Sequence, residues 1–237
     1  MSREFHIEVN CQQRNHRGER ICGDVFIHRK VKEENRIVAV LSDGMGHGVK
    51  ANMLATLTST MALNFTQEHK DFTKIADIIM NTLPVCSERK ISYATFTIVD
   101  VEIGGRVSIL EYDNPGTFII RNHRIFEPGW QCIVLNSDKN RGKELRSCSF
   151  VPEKEDRIVF CSDGVTQSGL GSDQYPFGWG SDALMDFIIE ETRKNNYISA
   201  VELGEHVVKR AVLNDGFEPK DDTSCAGISF REPRKML

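Results

Sequence analysis

With 237 residues and 40% hydrophobic content, the chain is long enough to bury a sizeable core, and a single domain over residues 1–237 is expected. A net charge of −4 and a pI near 6.0 argue against a nucleic-acid-binding or membrane-surface protein. No apolar stretch approaches the roughly 18 residues of a membrane span, and residues 1–5 carry no apolar signal region, so a soluble, cytoplasmic protein is expected.

Phe5, Ile7, Val9 and Cys11 alternate with His6, Glu8 and Asn10, the period of a half-buried strand. Further strands are expected over 24–28 and 36–41, with Lys32, Glu33, Glu34 and Asn35 as the turn between them. The period then changes. Over 48–65, Leu54, Leu57, Met61 and Phe65 follow helical spacing. A second helix is predicted over 71–83, with Phe72, Ile75, Ile79 and Leu83 on one face, Asp71 as cap and Pro84 as stop. Strands return over 94–102, 106–112, 117–121, 124–126 and 131–135, with turns at Gly104-Gly105 and Asn122-His123. The polar, basic stretch 136–146 reads as a solvated surface loop or as a surface for an acidic phosphoprotein. A strand over 157–162 leads into a Gly-rich loop, 167–180, that either covers a substrate channel or only joins two elements. Helices over 182–194 and 199–214 carry the stripes Leu184, Phe187, Ile188 and Leu203, Val207, Ala211, and a strand over 224–230 closes the chain. This order suggests two packed sheets with a helix pair outside each.

The seven cysteines are scattered and form no C-x-x-C pair, which argues for reduced cysteines packed as small hydrophobes. The carboxylates are more informative. Asp24 follows Gly23. Asp43 ends an apolar run and opens Asp43-Gly44-Met45-Gly46-His47-Gly48. Asp163 repeats the phrase in Ser162-Asp163-Gly164, and Asp221 opens Asp221-Asp222-Thr223-Ser224. A strand that ends on a carboxylate followed by glycine delivers that carboxylate to the rim of a sheet. Several such ends aimed at one place make a cage for a hard cation. Asp-Gly is also ordinary turn chemistry, so the recurrence carries the inference, and no single aspartate does. His47 reads either as an acid beside the metals or as a polar helix-start residue.

These phrases resemble the metal-dependent protein phosphatases of the type 2C superfamily, and in particular their bacterial SpoIIE-like branch. The matching residues are Gly23-Asp24, Ser42 to Gly48 followed by Ala51, Ser162-Asp163-Gly164-Val165 and Asp221-Asp222-Thr223. The resemblance covers nearly the whole chain, and the D-G-M-G-H-G phrase before a small-residue helix is its most specific part. It implies an α+β fold, a four-layer αββα sandwich of two mainly antiparallel sheets flanked by helix pairs. It implies two divalent metal ions bridged by Asp43, with the Gly44 carbonyl completing one and Asp163 and Asp221 binding the other. Asp24 would hold waters of the metal shell or bind directly, and Asp222 would point elsewhere. The broader superfamily often has Glu-Asp where this chain has Gly23-Asp24, which leaves the first metal less tightly held. The implied ligands are all hard oxygens, suited to Mn2+ or Mg2+ rather than zinc.

The implied activity is hydrolysis of phosphoserine or phosphothreonine in a protein by a metal-activated water, with Asp43, Asp163 and Asp221 as the catalytic set. Typical substrates of the branch are anti-anti-sigma-like phosphoproteins in bacterial signalling. A metal-poor, phosphatase-like sensor or binding module is the alternative. The ATPase fold of histidine kinases needs a helix where 36–41 reads as a strand, and an aspartyl-phosphate phosphatase needs Asp-x-Asp where Met45 stands. The oligomeric state is not legible in the sequence.

Overall fold

A computed structural model describes residues 5–68, 71–82, 94–137 and 140–232 of the chain. From the N-terminus run β1 (His6–Arg14), β2 (Val25–Val31), β3 (Arg36–Gly44), α1 (Gly48–Gln67) and α2 (Phe72–Thr82). Then follow β4 (Ala94–Glu102), β5 (Val107–Tyr112), β6 (Phe118–Arg121), β7 (Arg124–Ile125), β8 (Gln131–Val134), β9 (Glu144–Phe150) and β10 (Arg157–Cys161). A one-turn α3 (Asp163–Thr166), α4 (Ser181–Lys194), α5 (Ala200–Asn214) and β11 (Thr223–Arg231) complete the order. One sheet runs β1-β11-β10-β6-β7 and the other β2-β3-β4-β5-β9-β8. Every pairing is antiparallel.

The central strands have two apolar faces, and two apolar faces need two partners. In β3, Ile37, Ala39 and Leu41 face the second sheet, while Val38 and Val40 lie beneath the first helix pair. In β10, Ile158 and Phe160 join the layer between the sheets, while Val159 and Cys161 pack under α4 and α5. Three apolar layers therefore separate four structural layers, in the expected αββα order. The α5 helix opens with a reciprocal cap: the Ser199 hydroxyl accepts from the Glu202 N–H, and the Glu202 carboxylate accepts from the Ser199 N–H.

Two expectations are corrected. Strand β9 occupies the end of the polar stretch 136–146. Its outward residues Glu144 and Arg146 look like loop, while Leu145, Ser147, Cys148 and Phe150 are buried. Arg146 stacks on Trp130 at 4.5 Å, and it sits 3.6 Å from the Glu111 carboxylate. Helix α1 buries only part of the stripe chosen by side-chain size: Met61 and Phe65 pack on the core, while Leu57 turns outward. Its fully buried face is mostly small, with Ala51, Ala55, Thr58, Ser59 and Ala62 beside Leu63, and Leu57 is 44% exposed. Small residues let this helix approach the sheet more closely than a leucine stripe allows. Leu83, Pro84, Cys86 and Lys139 lie outside the described residues; the described cysteines are free thiols.

Arg36 ties α1 to its sheet. Its guanidinium is nearly buried, donates to both Asp100 oxygens at 2.7 and 2.6 Å, and donates to the Thr66 carbonyl at 2.7 Å. Arg36→Ala would leave a largely buried carboxylate and the helix C-terminal carbonyls without their partner. A loss of about 3 kcal/mol is expected, read as a lower urea midpoint with unchanged m-value; an unchanged midpoint would refute the role.

Candidate metal centre

Stacking the two sheets brings four strand ends to one end of the sandwich. Asp43 is the penultimate residue of β3, and Asp24 immediately precedes β2, its neighbour. Asp163 opens α3 just after β10, and Asp221 stands two residues before β11, the neighbour of β10. Asp43, Asp163 and Asp221 line one cavity of about 560 Å³. Asp24 is not part of that wall. It is buried, and its carboxylate accepts from the Ser224 hydroxyl at 2.5 Å. Gly44 is buried beneath the first turn of α1.

The glycines beside these aspartates are required by space. A Cβ on Gly44 would stand 2.1 Å from the Ala51 carbonyl oxygen. On Gly164 it would stand 2.2 Å from the Asp222 carbonyl oxygen, and on Gly23 2.6 Å from the Asp222 carboxylate and 2.9 Å from the Ala51 Cβ. Backbone therefore lies directly on backbone where β3 meets α1 and where α3 meets the entry to β11. Asp222 is turned away from the cavity, as expected. One carboxylate oxygen accepts the His16 N–H at 2.9 Å, and the other is buried with no hydrogen-bond partner among the described residues.

The electrostatics of the cluster follow from crowding. Burial pushes the Asp43 carboxyl well above the ordinary carboxylate range. The nearby charges of Asp24 and Asp163 push it further. Burial first, then Asp222 and Asp221, raise Asp24 to about 7 against the hydrogen bonds of Ser224 and Ser162. Burial and Asp163 raise Asp221 to about 6. Among the described residues no Lys or Arg forms an ion pair with any of them. Lys220 lines the cavity, but its ammonium donates to the Leu170 carbonyl at 2.8 Å. Crowded carboxylates without a cationic side chain accommodate protons or a cation. Among the described residues, no three acidic, His or Cys side chains already surround one point as coordinating ligands. Asp163 instead accepts from Gln167 at 2.8 Å. The donor set fits a hard divalent ion.

Other residues complete the cavity. His47 lines it, its Nδ1 lies 2.7 Å from the Glu19 carboxylate, and its ring stacks on His16 at 4.4 Å with planes 8° apart. As the residue preceding α1 it makes no side-chain cap. Asp113 and Asn114 form a further part of the wall, where Asn114 bonds the hydroxyls of Thr95 and Thr97. Sequence reasoning missed His16, Asp113, Asn114 and Lys220. Only Lys220, adjacent to Asp221, carried a positional hint.

The family model described as Stage II sporulation protein E (SpoIIE) matches residues 33–231. No curated protein sequence matches the chain. Among solved structures, the phosphatase domain of SpoIIE from Bacillus subtilis is similar with a TM-score of 0.67 at 13% identity, covering 99% of this chain and 97% of that one. RsbX in complex with magnesium gives 0.64 at 16% identity, covering 95% and 96%. The catalytic domain of the serine/threonine phosphatase PstP with two manganese ions gives 0.58 at 12% identity, covering 95% and 99%. At these identities the likeness shows the fold.

Two outcomes follow for the site. Gly44→Ala should force the first turn of α1 off Asp43, costing about 1–3 kcal/mol as overpacking does and raising the Mn2+ concentration for half-maximal binding about tenfold. Gly46→Ala meets nothing within 4 Å and strains only a φ of 92°, at about 1 kcal/mol. Equal metal titrations for the two variants would refute the contact. The second outcome concerns pH. Carboxyls raised to about 7 and about 6 keep protons that the unfolded chain has released. Their stability contribution is full below the ordinary carboxylate pKa of about 4 and is lost as pH rises through the folded values. In chelator, Tm should therefore fall between pH 5 and pH 7.5, and saturating Mn2+ should remove that fall. A flat profile in chelator would show that the carboxyls are not crowded.

Proposed function

Because the chain belongs to the SpoIIE family, we propose that it is a metal-dependent serine/threonine phosphoprotein phosphatase working through two divalent ions, Mn2+ or Mg2+. The observation that carries the reading is the set of crowded aspartates, one buried and three half-buried, with no Lys or Arg paired to them among the described residues; the three half-buried ones line an open cavity. Asp43, Asp163, Asp221 and the Gly44 carbonyl would hold the ions, with Asp24 behind them. The magnesium of RsbX and the two manganese ions of PstP support this choice of metal. Bound ions would supply a water of lowered pKa and positive charge for the phosphoryl oxygens.

The chain's own residues do the remaining work. The Asp43 carboxyl, at the end of a strand buried on both faces, is held against sideways movement. Gln167 orients Asp163. The ammonium of Lys220, which donates to the Leu170 carbonyl, and the ring of His47 border the space into which a phosphoserine side chain enters. No cysteine is required as a nucleophile: the described thiols that shift are all pushed upward, away from thiolate, chiefly by burial. The finer reading, an anti-anti-sigma-like phosphoprotein substrate in bacterial signalling, is supported by family membership alone.

With Mn2+ the purified protein should hydrolyse p-nitrophenyl phosphate and a phosphoserine peptide, and chelator should abolish both. Asp43→Asn should remain folded and lose on the order of 10²-fold or more in kcat. Its Tm in chelator should rise, because one repelling carboxylate is gone. Turnover of Asp43→Asn near that of the parent would remove the proposed centre. A folded parent with no turnover would instead favour the sensor or binding-module alternative.

A further inference from the structure

Two loops finish one side of the cavity mouth. The first covers residues 167–180 and the second 215–220; Gln167 of one and Lys220 of the other line the cavity. They are locked together. The Asp215 carboxylate accepts the Gly169 N–H at 2.7 Å and the Lys220 N–H at 3.1 Å. Lys220 reaches across to the Leu170 carbonyl, Asn214 donates to Ser168 at 3.1 Å, and Tyr175 lies against Gly169. Trp179, nearly buried, anchors the first loop in the core beneath α4 and α5.

These tied loops display large apolar side chains. Phe177 is 90% exposed, Phe217 75% and Leu170 47%. One exposed apolar residue is ordinary. Phe217 is different, because its φ is 69° and it follows Gly216 at 70°. A bulky residue in the left-handed region is an outlier, and glycine would sit there without strain. A strained backbone and a solvated phenyl ring thus coincide at one position, although folding stability selects against both. Such strain marks sites where a side chain serves something other than the fold.

The place of the loops identifies the occupant. Gln167 and Lys220 belong to both the loops and the cavity wall, and Gly178, next to Phe177, packs against the Thr166 carbonyl and the Gln167 Cα. A phosphoserine that enters past them must lay its neighbouring residues along the mouth of the cavity. We propose that the 167–180 and 215–220 loops are a docking surface for apolar side chains flanking the phosphoserine of a protein substrate, with Phe177 and Phe217 as the contact rings. This deepens, and rests on, the phosphatase reading above.

The test is steady-state kinetics of the Mn2+-loaded protein on phosphoserine peptides with Leu or Phe beside the phosphoserine, and on the same peptides with Ser there. Hydrolysis of p-nitrophenyl phosphate, which has no flanking chain, is measured alongside. The parent should favour the apolar peptides about tenfold in kcat/KM, the scale of a buried aromatic contact. Phe177→Ser and Phe217→Gly should each erode that preference and leave p-nitrophenyl phosphate turnover unchanged. Phe217→Gly should also raise Tm by roughly 2–4 °C, since glycine relieves the backbone. A parent indifferent to flanking residues, or a preference kept in both variants, overturns the proposal. So does a variant whose sedimentation changes while its peptide kinetics do not, which assigns the rings to contact with a second copy of the chain. No p-nitrophenyl phosphate turnover by the parent would defeat the phosphatase reading itself, and docking with it.

Discussion

The arrangement depends on two places where main chain rests on main chain. The Ala51 peptide lies over Gly44, and the Asp222 peptide lies over Gly164. At ordinary side-chain separation, α1 would stand further from the end of β3, and the entry to β11 further from α3. Asp43 and Asp163, the neighbours of these glycines, would then move apart. The close approach explains why α1 carries alanine, serine and threonine on its buried face. It also explains why the aspartates are next to glycines at three of the four positions, independently of turn conformation.

The sandwich makes that approach rigid. The strands bearing the aspartates lie in the interior of their sheets or beside interior strands, and the layer between the sheets is filled by Leu41, Phe160, Ile228 and Phe230. Like charges placed at the edge of such a core cannot relax by moving apart. Their repulsion is expressed as raised proton affinity instead. The same rigidity preorganises them for a cation, because little reorganisation remains when one binds.

Much of this was legible in the sequence where one physical rule dominated. The apolar runs ending in Ser42-Asp43-Gly44 and Ser162-Asp163-Gly164 marked strands, and the observed elements follow them. Size was a poor guide for α1, since closeness to the sheet selected small residues and left Leu57 exposed. Strand β9 was hidden because Glu144 and Arg146 face outward while Ser147, a polar residue, faces inward. The His16–His47 stack was not legible, because loop geometry alone brings those rings together. The resemblance implied that Asp24 would bind a metal directly or hold its waters. It lies behind the cavity wall, held by a hydroxyl from the last strand.

That hydroxyl belongs to Ser224, and its partner Asp24 lies 200 positions earlier in the chain. Strand β11 fills the gap between β1 and β10, pairing with the first strand along nine residues. A nascent chain emerging from a ribosome therefore holds an open sheet until β11 appears. Asp221 and the floor under Asp24 arrive with that same strand. Contacts so distant in sequence form slowly, because the closure entropy precedes the reward. The site therefore cannot form before β11 is in place.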